Sequence, residues 1–285
     1  MRVRKAVITA AAPDQNRLPL QQLVDQDGND KTALQLIIQE TLAAGVEQVA
    51  VIIRPGDEHA YQSAAGNLVN DLTFIPQANP AGYADAIFRA SDFIGDDAFL
   101  HLVGDHLYVS SIDTPCAKQL IDVASRYDCS VSAVQATRES NLPYFGVVSG
   151  PRVAREERLF EIENVVEKPT PTLAEQDLVT PGLRAGLYLG FFGMHVLTPQ
   201  VLRLIGELHR ESPSTKWTLA DAMAMLHGRE KYVAYQMRGS RYNLGVQYGL
   251  LRAQLAIGLS GRDRQLILAE MVEVLADRLE EAPVR

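Results

Sequence analysis

Side chains able to do chemistry fall at a few points of this chain. Gly104-Asp105 closes an apolar run, and a carboxylate at the C-terminal tip of a buried strand is placed to hold Mg²⁺ against phosphate oxygens. Taken alone, an aspartate after a glycine is more often a turn residue or a helix cap. His106 beside it is either a second ligand or, the preferred reading, a solvent-facing loop histidine. At the start of the chain, residues 5–19 run from an apolar strand into small and polar residues and recover at Leu18-Pro19. Such a stretch delivers a loop to the top of a sheet, where α/β folds bind their ligands. Arg17 is the only basic residue between Lys5 and Lys31, so it is the one cation that this loop can offer a phosphate.

The elements that must position these groups alternate. Residues 34–44 carry apolar side chains at helical spacing and stop at Gly45, and residues 48–53 form a β-branched run closed by Arg54-Pro55-Gly56. A helix at 57–65, a strand at 72–76, a helix at 84–92 and a strand at 98–103 repeat the unit, which predicts a doubly wound sheet. Asp113-Thr114-Pro115 predicts a capped helix with proline at or near its first turn, and 129–136 a further strand. Beyond 140 the pattern loosens into extended pieces at 144–148, 161–167 and 188–196, with a mobile proline-containing loop expected at 170–182. Helices at 199–208 and 218–227, a strand at 232–237, a turn at 239–245 and terminal helices complete the chain. Residues 262–279 are amphipathic; packing back onto the body is preferred to a subunit contact. The expected fold is α/β, a Rossmann-like doubly wound mixed sheet in three layers with C-terminal helices, one domain over residues 1–260 and a C-terminal helix over 261–285.

Several of these stretches carry a resemblance. Aligned without gaps from Ile8 to Pro19, the first loop resembles the A-A-G-x-G-T-R-x-x-P signature of sugar-phosphate nucleotidyltransferases, most nearly the bacterial UTP-glucose-1-phosphate uridylyltransferases. The frame fits, but the family's glycines fall on Ala12 and Asp14 and its arginine on Asn16. The lysine that follows the signature in that family has no counterpart. Residues 77–87 resemble Q-x-x-P-x-G-L-G-H-A-V, with Ala84 and Asp85 at the second glycine and the histidine. Val165-Val166-Glu167-Lys168-Pro169 matches a V-V-E-K-P strand end, and Tyr144-x-Gly146-Val147 its partner segment. Leu219-Ala-Asp221-Ala resembles an L-T-D-A helix, and residues 239–245 resemble G-K-R-Y-D-x-G with Asn243 at the aspartate.

The resemblance implies roles. Ala11, Ala12, Gln77, Gly82 and Gly104 meet the nucleotide, with the Gln77 amide suited to a uracil edge because it both donates and accepts. Tyr144, Gly146, Glu167 and Lys168 hold the sugar phosphate, the carboxylate on hydroxyls and the ammonium on phosphate. Asp105 and Asn243 ligate Mg²⁺, the amide bringing no charge. Arg17 does not fall on the family's arginine; as the loop's one basic residue it is expected beside Asp105 as a catalytic group. Alternatively Glu167-Lys168 is a plain surface pair and Asn243 an N-cap for a helix near Val246. Asp14 would face the triphosphate, and two like charges near 4 Å at an effective dielectric of about 20 repel by roughly 4 kcal/mol.

Composition limits the rest. A net charge of −8, with 47% hydrophobic and 22% charged residues over 285 positions, fits a soluble globular chain and disfavours unassisted nucleic-acid binding. Cys116 and Cys129 are expected as free thiols, and the lack of a leader-like or bilayer-spanning run predicts a cytoplasmic protein without membrane contact. The expected activity is that of a UTP-glucose-1-phosphate uridylyltransferase-like enzyme, Mg²⁺-dependent if active, whose partners are a nucleotide, a sugar phosphate and, as one option, further copies of itself in a homo-oligomer. The competing expectation is a catalytically impaired homologue that binds a sugar phosphate or nucleotide sugar as a sensor or regulatory subunit.

Overall fold

The computed structural model describes residues 1–78 and 81–280, with the side chains of 278–280 left aside. In chain order the elements are β1 (Lys5–Thr9), β2 (Gln22–Val24), β3 (Asp30–Thr32), α1 (Ala33–Ala43), β4 (Gln48–Ile53), α2 (Glu58–Ala65), β5 (Leu72–Pro76), α3 (Tyr83–Phe88), α4 (Ser91–Ile94), β6 (Phe99–Val103), β7 (His106–Ser110) and α5 (Cys116–Tyr127). They continue as β8 (Ser130–Arg138), β9 (Val147–Ser149), β10 (Leu159–Glu161), β11 (Asn164–Val166), α6 (Pro171–Asp177), β12 (Leu187–Leu197), α7 (Gln200–Glu211), α8 (Leu219–Leu226), β13 (Tyr232–Gln236), β14 (Gly239–Asn243), α9 (Gly249–Ser260) and α10 (Arg264–Glu280).

The main sheet runs β10-β13-β8-β12-β6-β1-β4-β5, with β9 and β11 paired beside β12. β1 is parallel to β4 and to β6, and β4 to β5, as right-handed β-α-β units require. β12 is the exception, antiparallel to β6 on one side and β8 on the other. Along β1, Ala6 and Ile8 join one apolar cluster and Val7 the other. Successive side chains of a strand point to opposite faces, so β1 is buried from both sides and its sequence is continuously apolar. One cluster is covered by α1, α2, α5 and α9, the other by α3, α7 and α8, which gives the three-layer α/β architecture. Because the chain steps from β1 outward to β4 and β5 and then returns to β6 on β1's other side, the order reverses at β1 and β6, and a crevice opens at their C-terminal ends.

Several expectations need correction. The segment 170–182 is not wholly loop: Thr170 caps α6 by accepting from the Leu173 N–H, and Pro171 occupies its first turn, where the missing donor is harmless. The turn expected at 239–245 is largely strand β14, paired antiparallel with β7. The helix expected at 84–92 breaks into α3 and α4. Pro115 stands at the N-cap of α5, next to the first turn as expected, but no side chain at that position caps the helix. The Glu40 carboxylate of α1 accepts from the Ala117 N–H instead, and burial raises its pKa. The amphipathic C-terminal helix does not fold flat over the body: Ile267 approaches Gly258 of α9, while Leu266, Val272, Val274 and Leu275 are each at least 60% exposed. Residues 281–285 lie outside the described residues.

Candidate active site

The crevice brings the strand-tip segments together. Gly104 follows β6 and donates its N–H to the Thr9 carbonyl at 2.8 Å. A Cβ there would sit 2.9 Å from that oxygen and 3.0 Å from the Ala10 side chain, so only glycine allows the β1 and β6 exits to lie this close. Asp105, next in the chain, is nearly buried, with its side chain 13% exposed. Its Oδ1 lies 2.7 Å from Nδ1 of His106, and its carbonyl accepts from the Leu244 N–H at 2.8 Å. His106 is therefore not a solvent-facing loop residue; it is buried as the first residue of β7. Burial would raise the Asp105 carboxyl, but the charge and hydrogen bond of His106, with help from Lys168, hold it below the usual carboxylate range. Asn243 pairs with His106 in the β7–β14 ladder and so stands beside Asp105. Its Oδ1 accepts from the Gly245 N–H at 2.7 Å, an Asx turn, and α9 starts later, with Tyr248 as its N-cap; Asn243 is not the cap.

Among the described residues no three His, Cys, Asp or Glu side chains gather into a metal cage. One carboxylate and one amide oxygen suit a hard cation that takes its other ligands from phosphate and water, as Mg²⁺ does. Those residues fit such an ion, with one Asp105 oxygen already shared with His106.

The segments assigned to a sugar phosphate also meet. β9 and β11 pair antiparallel with Val147 opposite Val166, which sets Gly146 against Glu167. A Cβ on Gly146 would lie 2.9 Å from Glu167 Oε2 and 2.6 Å from the Phe191 ring, so the glycine makes room for the carboxylate. Burial raises the Glu167 pKa, Lys168 opposes the rise and Asp221 adds to it. Lys168 adopts a left-handed backbone, φ 47, uncommon for a residue with a side chain, and its Nζ lies 4.0 Å from Glu167 Oε1. Its charge also reaches Asp105, so ammonium, carboxylate and strand-tip aspartate share one neighbourhood. Asp221 itself completes a capping box with Thr218 at the start of α8. Tyr144 is 55% exposed at the rim.

Gln77 behaves differently from expectation. It is buried, and its Nε2 donates to Asp85 Oδ2 at 2.7 Å and to the Gly82 carbonyl at 3.3 Å, so both amide hydrogens are engaged inside the protein. Asp85 is held in turn by Arg89 at 3.0 Å. Gly82 has φ 120, and a Cβ would lie 2.7 Å from the Trp217 carbonyl, so this glycine answers to the α8 approach. Asn79 and Pro80 of the same motif lie outside the described residues.

The first loop closes on itself. The N–H groups of Gln15 and Asn16 both donate to the Ala12 carbonyl, and Pro13 has none to give. Tyr61 pins the loop from below, its hydroxyl donating to the carbonyls of Asn16 at 2.7 Å and Ala10 at 3.2 Å. Asn16, at the arginine position of the signature, donates to Asp57. Ala11 is buried and Ala12 exposed. Arg17 lines a groove of about 700 Å³ with Arg54, Asp14 and Asp57; Gln77, Asp105, Glu167 and Lys168 are not part of its wall. Arg54 escaped the sequence reading, although its place at the tip of β4, beside β1, follows the same strand-end logic that singled out Asp105. Arg241 and the His106 contact also escaped it, because each depends on the β7–β14 pairing.

The strand-order reversal at β1 and β6, with Asp105 at the tip of β6 and within reach of the Lys168 charge, is where α/β folds place their ligands. Residues 20–256 match the model of the Nucleotidyl transferase family, and the chain belongs to that family. It is similar to UTP--glucose-1-phosphate uridylyltransferase 1 of Streptococcus pyogenes serotype M1, 26% identical over 312 aligned positions that cover 99% of this chain and 98% of the relative. The UTP--glucose-1-phosphate uridylyltransferase of Streptococcus pneumoniae serotype 4 is 26% identical over 90% of this chain and 91% of its own. In fold the chain is similar to a crystal structure of UDP-glucose pyrophosphorylase complexed with UDP-glucose, TM-score 0.72 and 23% identity, covering 90% of this chain and 98% of that one. The UDP-glucose pyrophosphorylase of Acinetobacter baumannii gives the same TM-score at 20% identity over 96% and 100%.

Proposed function

We propose that the protein joins UTP to glucose 1-phosphate or a closely related sugar 1-phosphate, releasing pyrophosphate and a nucleotide sugar, with Mg²⁺ as the metal. What supports this most is the packing of Gly146 against Glu167 with Lys168 charged beside both Glu167 and Asp105. That arrangement suits a sugar phosphate lying across the crevice, and the curated relatives described above carry this activity in their names.

In the reaction a phosphate oxygen of the sugar 1-phosphate attacks the α-phosphorus; a P–O bond forms, the bond to the bridging oxygen of the β-phosphate breaks, and pyrophosphate leaves with the electron pair. Glu167 accepts hydrogen bonds from sugar hydroxyls and Lys168 offsets the charge of the sugar phosphate. Asp105 and Asn243 would hold the metal, which supplies charge neutralisation at the phosphates. Arg17, with Arg54, is the cation source on the triphosphate side. Ala11, Ala12 and Gly104 offer backbone, and Gln77 keeps only its carbonyl oxygen for a base. Both substrates are intracellular metabolites, so a cytoplasmic location belongs to the same proposal; among the described residues no helix is long and apolar enough to cross a membrane.

Turnover is expected to be slow beside a relative with an intact signature, because the Ala12 carbonyl absorbs two loop N–H groups and Asp14 stands where glycine would. The test is pyrophosphate release from UTP, dTTP, ATP, CTP and GTP with glucose 1-phosphate, with and without Mg²⁺. Metal-dependent release that is fastest with UTP is expected. UDP-glucose binding with no release from any triphosphate would overturn the proposal in favour of an impaired binding protein.

A further inference from the structure

A second cavity, about 630 Å³, opens beside Tyr144 and Asn243. Its size is that of an ordinary small-molecule site, but its charge is not that of the chain. Arg138 at the end of β8, Arg241 in β14 and Arg252 in α9 all line it, and no aspartate or glutamate does, in a protein of net charge −8. Among the described residues none of the three guanidinium groups stands within 4.0 Å of a carboxylate oxygen.

Arg241 is held in place with its charge unanswered. Its Cζ lies 3.7 Å from the centroid of Phe145, Nη2 donates to Thr137 Oγ1 at 3.3 Å, and Nη1 reaches Gln135 Oε1 at 3.5 Å. Both acceptors are neutral, and Nε is buried with no partner. The start of α9 also lines the cavity through Gly249 and Arg252, whose N–H groups already donate to the carbonyls of Val246 and Tyr248, so the helix end brings charge rather than free donors; its first turn carries no acid. The N-terminal end of a 12-residue helix adds partial positive charge to that of the arginines.

We propose that this pocket binds a multiply charged oxyanion, a phosphate or carboxylate group clasped by Arg138, Arg241 and Arg252 against the first turn of α9. Guanidinium groups meet such anions through paired N–H···O contacts. The pocket shares Tyr144 and Asn243 with the proposed sugar and metal positions, and its link to the sugar rests on the proposed function. The anion is therefore either a second acidic group on the sugar phosphate or a separate small ion bound next to it.

The test begins with inorganic phosphate as probe, titrated by calorimetry against metal-free, nucleotide-free protein. Wild type is expected to bind phosphate, Arg138→Gln combined with Arg252→Gln to bind at least tenfold more weakly, and Arg203→Gln, an exposed change in α7 away from both sites, to bind as wild type does. Both changed arginines of the pair are exposed, so the fold is retained. No phosphate binding by wild type, or equal binding by the double variant, would overturn the pocket. Glucose 1,6-bisphosphate then separates the two sources. If it displaces phosphate while glucose 1-phosphate does not, and loses that advantage in the double variant, the anion belongs to the substrate; if phosphate stays bound beside either sugar phosphate, the anion is a separate ligand. Absence of pyrophosphate release would sink the proposed function and leave the phosphate titration standing.

Discussion

At the scale of single residues, Glu167 carries the most consequence. Its carboxyl is buried against Gly146 and its pKa is raised, so the ionised form is disfavoured in the empty site and is stabilised only when hydroxyl donors arrive. Hydrogen bonds to a charged acceptor contribute about 1.5–3 kcal/mol each. Glu167→Gln is therefore expected to weaken UDP-glucose binding at least tenfold at pH 7 in calorimetry. Its melting temperature should equal or exceed that of wild type, since a group whose folded pKa is raised destabilises the fold once ionised. Wild-type affinity should also decline as pH falls through that raised carboxyl range. Unchanged affinity would remove Glu167 from the sugar position. The identity of this residue was legible in the sequence because its motif is contiguous. The locking of Gln77 by Asp85 was not, because a matched motif names a residue without saying which of its hydrogen-bonding atoms are already taken.

At the scale of elements, the packing of α3 against the entry to α8 fixes the segment that carries Gln77 and Gly82. Gly82 holds φ 120 at the N-cap of α3, and Ala84 donates to the Trp217 carbonyl at 3.3 Å. An added methyl group would meet that same oxygen at 2.7 Å. Gly82→Ala is expected to cost about 1–3 kcal/mol of stability through backbone strain, with weaker UTP binding alongside, read by denaturant melts and by calorimetry. A melt superimposable on wild type would show that α3 does not depend on this contact. Elements were legible where pattern and cap coincide in a short window, as in β1, α1 and β4. They were illegible where the deciding partner is distant in the chain. Gly239 to Asn243 looked like a turn because its glycine and asparagine are turn formers, and only β7 converts it to strand. Residues 170–182 looked like loop because of their prolines, yet Pro171 falls at the one helical position that tolerates it.

At the scale of the whole molecule, the centre of the sheet holds a chain of buried polar groups. Nε2 of His101 lies 3.3 Å from both Thr9 Oγ1 and Tyr83 Oη, and His195 Nδ1 lies 2.6 Å from Ser132 Oγ. Burial holds His101 down to about 3 and lowers His195, which also feels His101. A histidine kept neutral in the fold but free to charge when unfolded contributes stability that is present above its unfolded value of 6.5 and is lost as pH falls toward the folded one. Unfolding free energy is thus expected to fall by up to about 1.4 kcal/mol per pH unit for each histidine below pH 6.5. A flat profile from urea melts between pH 6.5 and pH 5 would show that neither is shielded. The same sheet has a temporal consequence. Its middle strand, β12, runs from Leu187 to Leu197 between β6 and β8, both made much earlier during synthesis. Until the ribosome has delivered that strand, β6 keeps an open edge of unpaired backbone. The amino-terminal half therefore emerges with an open sheet edge, and a chain arrested before residue 187 is expected to stick to its own copies.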